Sequence, residues 1–169
     1  TAVRTPNADT LWNVKGRELT PQTPVTLEWN NGQGLTFVRR ISLDDNYMFT
    51  IEQSVENNTG HSIVLYPYGL ISRFHNQAAA SSALTARDAY VGLIGVVDNT
   101  LKEIKYKDLE DGKKEDFKTT GGWAGFSDRY WFSAFVMNNA QNGTVKFSNT
   151  GKDTYQTDYV GAPLTVAPG

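Results

Sequence analysis

An all-β sandwich of about nine or ten strands is the fold class this sequence predicts. Three observations point to it. Short runs rich in β-branched and aromatic residues recur, separated by Gly, Asn, Asp and Pro turn signals at intervals of roughly 8 to 15 residues. Within those runs apolar and polar residues alternate with a period of two, the mark of a strand with one buried face. Only "NQAAASSALTARDAY" (76–90) has the small, Ala-rich composition of a helical turn, and it reads better as a long surface loop.

The elements follow in order. In "PVTLEWNNGQGLTFVRRISL" (24–43), Val25, Leu27 and Trp29 alternate with polar neighbours, as do Leu35, Phe37, Arg39 and Ile41 after the break. Asn31-Gly32 and Gly34 supply the turn between them, because the central turn residues of a tight hairpin need positive φ. "NYMFTIEQSVENNTG" (46–60) places Tyr47, Phe49, Ile51 and Val55 on one face and Thr50, Glu52, Ser54 and Glu56 on the other. "HSIVLYPYGLISRF" (61–74) is apolar on both faces, as a central strand is, with Pro67 marking a bulge or an exposed ladder edge. "VGLIGVVDN" and "LKEIKYKDL" are strand-like, and Asp111-Gly112 makes a turn. "TVKFSN" and "TYQTDYVGAPLTVAP" provide the last strands, and no internal repeat or low-complexity tract interrupts the series.

The densest aromatic region is "TTGGWAGFSDRYWFSAFV" (119–136), with Trp123, Phe126, Tyr130, Trp131, Phe132 and Phe135. Read as one strand, it puts Trp123, Gly125, Ser127, Arg129, Trp131, Ser133 and Phe135 on one face. Both faces then carry rings, which favours a core strand over a binding platform, because soluble domains rarely leave several rings in water. Folding is expected to depend on Trp123 and Trp131, with Trp131→Ala costing roughly 3–5 kcal/mol. Gly121-Gly122 suits a tight entry or bulge.

Composition bounds the function. The 169 residues, 39% hydrophobic and 20% charged, suffice for one domain with a core. A net charge of −2 without a basic stripe argues against nucleic acid. There is no cysteine, so disulfides and thiolate metal sites are excluded. No apolar run reaches the roughly 18 residues of a membrane span. The opening "TAVRTPNADTLWNV" reads as the middle of a protein, and the chain is expected to be an excised soluble piece.

Candidate chemistry is sparse. His61 and His75 lack metal-ligand spacing and read as turn or strand-end residues. The enzymatic alternative is a mutarotase-like or glycosidase-like site, a histidine polarising a sugar oxygen with Glu52 or Glu56 as base. Glu52, however, lies on the polar face of an alternating strand, where a solvated carboxylate is the default. Asp44-Asp45 and Glu110-Asp111 favour turn geometry rather than catalysis. There is no nucleophile elbow, and "GGWAGF" lacks the basic residue and helix of a phosphate loop. The sequons at Asn57 and Asn142 read as turns. No catalytic, cofactor-binding or metal residue is assigned.

"TTGGWAGFSDRYWFSAFVM", taken with "YMFTIEQSVENNTG" at this separation, resembles the large periplasmic domain of the YidC membrane insertase family. The order of "TPNADTLWNV", the 24–43 hairpin and "GVVDNTLKEIKYKDL" extends the likeness over essentially the whole chain. The resemblance implies a β-supersandwich of twisted antiparallel sheets with little helix, similar to galactose mutarotase-like and carbohydrate-binding folds. It implies a periplasmic position between the first two transmembrane helices of an inner-membrane protein, and an accessory, non-enzymatic role. Insertion itself belongs, in the family, to membrane-embedded helices. The implied partners are SecD/SecF-type translocon components and membrane-protein substrates, with a cleft for a peptide. Residues 1–169 are expected to be a single periplasmic domain truncated at both ends. Open sheet edges are expected to follow, met by strand exchange in a dimer or by flanking strands.

Overall fold

A computed structural model describes residues 2–75, 90–137 and 142–169. The expected all-β sandwich is present, with fourteen strands among the described residues rather than nine or ten. Several are three-residue pieces that the alternation is too short to reveal. The chain divides into two compact units, one of residues 1–65 and 164–169, the other of residues 66–163.

The first unit is built on the anticipated hairpin. Strands β2 (Val25–Asn30) and β3 (Leu35–Leu43) pair antiparallel, with Trp29 opposite Phe37 and Val25 opposite Ile41. The connection is four residues, not two: Gly32 and Gly34 hold positive φ of 72° and 88°, while Asn31 is buried and uses its side chain. Asn31 Oδ1 accepts from the Gln33 and Leu35 amides, and its Nδ2 donates to the Arg4 carbonyl. Strands β1 (Asn13–Lys15) and β4 (Phe49–Asn57) flank the hairpin to give the order β1-β2-β3-β4. A two-stranded sheet of β5 (Ile63–Leu65) and β14 (Leu164–Val166) completes the unit.

The core here lies at one end of the sheet, where Leu35, Phe37 and Ile63 are buried with Trp12, Trp29, Val55 and Leu65 packed around them. The predicted apolar face of 46–60 is real, yet of its members only Val55 joins this core. Phe49 and Ile51 remain exposed on an edge strand. Tyr47 precedes β4 and has left-handed φ of 62°, in a turn where the Asp44 carboxylate accepts from the Asn46 and Met48 amides.

The predicted central strand at 61–74 is a correction. The chain breaks at Tyr66-Pro67, and β5 and β6 (Tyr68–Phe74) belong to different sheets. Proline has no N–H to continue a ladder, although the Pro67 carbonyl still accepts from the Gly161 amide at 2.8 Å. β6 is an edge strand, and its Tyr68, Leu70 and Phe74 lie on the outer face of the sheet and are exposed, while Ile71 packs against the core.

The second unit is a two-sheet sandwich. One sheet has the order β11-β10-β7-β8, from β7 (Gly92–Val97), β8 (Thr100–Ile104), β10 (Gly122–Ser127) and β11 (Phe132–Met137). The other has the order β6-β13-β12-β9, adding β9 (Lys114–Thr119), β12 (Gly143–Gly151) and β13 (Thr154–Gly161). A 3-10 turn at Tyr106–Gly112 links β8 to β9, ending in the predicted Asp111-Gly112 turn with both residues at positive φ. Leu93, Val97, Ala124, Phe126 and Met137 from the first sheet meet Val145, Phe147 and Tyr155 from the second, with Tyr106 and Leu109 sealing the core. The loop expected at 76–90 lies, except for Tyr90, outside the described residues.

Candidate functional site

The aromatic stretch is not one strand. Asp128–Trp131 form a hairpin turn, closed by the Asp128 amide donating to the Trp131 carbonyl at 2.8 Å. On either side β10 and β11 pair, from Ser127 opposite Phe132 to Gly122 opposite Met137. In this register each odd-numbered residue of β10 faces an even-numbered residue of β11, so the turn reverses the parity of the faces. Phe135 therefore shares the inner face with Ala124 and Phe126, not the face of Trp123 as a continuous strand requires.

The outer face of this sheet carries a second apolar row. Val136, Trp123, Val96 and Leu101 lie side by side across β11, β10, β7 and β8. Val136 and Leu101 are exposed, Trp123 and Val96 half-buried. Phe132 extends the row diagonally, its ring edge-on to Trp123 with centroids 5.4 Å apart. At the tip, Tyr130 is 80% and Trp131 78% exposed. The expectation that Trp131 is a core residue is thus overturned: a four-residue turn carries it beyond the last ladder pair, where no sheet covers it.

The outer face of the opposite sheet is of different character. Register places Lys118, Thr144, Val160 and Tyr68 in one row, Asp116, Lys146, Asp158 and Leu70 in the next, and Lys114, Ser148, Gln156 and Ser72 in a third. Asp158 is buried; its Oδ1 accepts from Tyr68 Oη and Gln156 Nε2, and Lys146 Nζ stands 4.0 Å from Oδ2. Desolvation, then the hydrogen bond to this carboxylate, pushes the Tyr68 phenol up to about 12. The group is a structural polar network on a face where charged residues alternate with the exposed Tyr68, Leu70 and Val160.

The enzymatic alternative finds no assembly. Glu52 is exposed and paired with Arg40 at 2.9 Å. Glu56 is exposed on the same edge strand. His61 is exposed between β4 and β5, and its carbonyl accepts from Asn57 and Thr59. His75 follows the end of β6, as expected, and stacks on Tyr106 with ring centroids 3.8 Å apart. Burial, then the charge of Arg73, lowers its pKa, with Asp153 opposing. A shallow open cavity of 340 Å³ is lined by Leu101, Lys102, Glu103, Asp108 and Glu115 among others, with no histidine. Among the described residues no three His, Asp or Glu converge as a metal site, and no helix is long and apolar enough to cross a membrane.

The aromatic stretch is visible in the sequence but the outer row is not, because Val96 and Leu101 join it only through sheet pairing. Their apolar character on strands that already bury Leu93, Val97 and Ile104 was the available signal.

A family model described as the YidC periplasmic domain matches residues 1–169. Relatives named Membrane protein insertase YidC include that of Beijerinckia indica subsp. indica, 45% identical over 168 residues, covering 97% of this chain and 27% of the relative. That of Brucella melitensis biotype 1 is 42% identical with the same coverage, and that of Bradyrhizobium diazoefficiens 44% identical, covering 97% of this chain and 26% of the relative. The chain thus spans little more than a quarter of the length of these relatives. With the family model matched over the whole chain and relatives 42–45% identical over 97% of it, the chain belongs to the YidC periplasmic domain family, on the periplasmic side of the inner membrane.

Proposed function

We propose that this domain is a non-enzymatic accessory of a membrane protein insertase, helping membrane proteins insert and fold by holding apolar segments or translocon partners of the SecD/SecF type. The supporting observation is the apolar row Val136–Trp123–Val96–Leu101, exposed at its two ends, on a sheet whose inner face already forms the core. A soluble sandwich has no folding need for a second apolar face, and contiguous exposed apolar surface marks interaction sites. Among the described residues β11 pairs only with β10, so its other edge has no ladder partner among them. An extended segment adding there gains main-chain hydrogen bonds, and its alternate side chains lie beside Phe132 and Val136 of β11.

The test is site-specific photocrosslinking in an insertase carrying this domain, with the reactive residue at Val136 or Leu101, and at Lys118 on the opposite outer face as the comparison. Crosslinks to translocon components or to nascent membrane proteins are expected from the first two positions. Equal yield from Lys118 overturns the assignment. A galactose-dependent rise in melting temperature overturns it in favour of a sugar-binding domain.

A further inference from the structure

We infer that the β10–β11 hairpin tip docks on an anionic lipid surface. The inference rests on the family's position beside the inner membrane, not on the partner-binding role of the outer row. Three features converge at one end of the second unit. Tyr130 and Trp131 are the most exposed rings of that unit, and the Arg129 guanidinium lies over the Tyr130 ring at 5.6 Å. The ion pair of Arg73 with Asp128 ties the end of β6 to the hairpin, bringing Phe74, 67% exposed, to the same end. Phe74 pairs with Thr154, which places the exposed Lys152 of the β12–β13 turn there as well.

The chemistry is that of a bilayer interface rather than a protein groove. Tyr and Trp, each with an apolar body and a polar edge, concentrate at the headgroup level of membranes. The charge is complementary to anionic headgroups: Arg129 has no carboxylate partner among the described residues, and the Asp128 carboxylate is taken up by Arg73. Lys152 adds a second cation, with Asp153 in the same turn. A basic residue near an anionic surface strengthens attachment, and shallow aromatic insertion makes it reversible. The tip then sets the orientation of the unit to the membrane, leaving the outer row of the sheet accessible.

The experiment is flotation of the full chain with vesicles of phosphatidylethanolamine and phosphatidylglycerol, with no protein partner present. Wild type is expected to co-float, and bromine-labelled acyl chains to quench its tryptophan emission. Tyr130→Ser/Trp131→Ser should lower partitioning by about tenfold or more, equivalent to ~1.4 kcal/mol, with an unchanged melting temperature because both rings are exposed. Arg129→Glu/Lys152→Glu should weaken binding and remove its salt dependence. The proposal is overturned if wild type stays in the aqueous fraction at millimolar lipid, or if the double serine variant floats as wild type does. It is equally overturned if the tip residues are needed to capture an apolar peptide but not lipid. Failure here leaves the crosslinking result from Val136 and Leu101 unaffected.

Discussion

Trp123 and Phe126 are three residues apart on β10 and lie on opposite faces of the same sheet. Phe126 is 3% exposed in the sandwich core, near Tyr106 with ring centroids 6.5 Å apart, while Trp123 lies on the outer face with Phe132 against it. One strand therefore places one ring in the core and the other in the apolar row of the outer face. Substitutions in and around it separate packed positions from exposed ones.

Phe126→Ala is expected to cost about 3–5 kcal/mol, from lost burial and the cavity left in the core. Trp131→Ala, at an exposed turn position, should change stability by less than ~0.5 kcal/mol. Urea denaturation of both variants checks the pair. Equal losses would mean that the tip is packed rather than free.

Gly122→Ala should destabilise by at least ~2 kcal/mol. Gly122 has φ of 109°, and a Cβ there would stand 2.0 Å from the Val96 carbonyl oxygen, within the β10–β7 ladder. Thermal unfolding reads the loss, and a wild-type melting temperature would show that the close approach relaxes freely.

Asn57→Ala is expected to lose roughly 2–4 kcal/mol, since each buried polar group left unmade costs about 1–3. Asn57 is buried at the end of β4; its Nδ2 donates to the carbonyls of His61 and Val166, and its Oδ1 accepts from the Thr59 amide and hydroxyl. Asn57→Asp should also be costly, because a carboxylate cannot donate to those two carbonyls. A loss under about 0.5 kcal/mol in chemical denaturation would remove Asn57 from its role as the pin between β4 and β14.

His75 predicts a pH dependence. Its pKa is lowered in the folded state by burial against Tyr106 and by Arg73, so the unfolded chain binds the proton more readily. Its contribution is thus fully present above the unfolded value near 6.5 and is lost as pH falls below it. The melting temperature should drop between about pH 7.5 and 5.5, and His75→Phe, which keeps a ring on Tyr106, should flatten that segment. An identical slope in the variant would assign it to other groups.

Alternation located the hairpin around Asn31-Gly32 and the strand at 46–60, because a period of two in apolar residues records a sheet face directly. It placed Phe49 and Ile51 correctly on one side of β4 but not in water, since exposure depends on whether another layer reaches them. The register of β10 against β11 was hidden for a related reason: four residues of turn invert the parity, and nothing in "SDRYWF" marks where pairing stops. Pro67 signalled a bulge or an exposed edge within one strand, and only the assembled sheets show that β5 and β6 are separate strands of different sheets. The candidate surface was legible as aromatic residues, not as a row, because Val96 and Leu101 meet Trp123 from distant chain positions.

By itself the sequence determined the all-β class, the turn positions set by Gly, Asn and Asp, and the family, since these follow from local periodicity, backbone preference and motif order. Tertiary structure alone decided which rings are buried, that Trp131 is free while Phe126 is not, and that Val136, Trp123, Val96 and Leu101 form one surface. Burial is a property of layers and strand register, and these come from pairings between segments tens of residues apart, which no local pattern encodes.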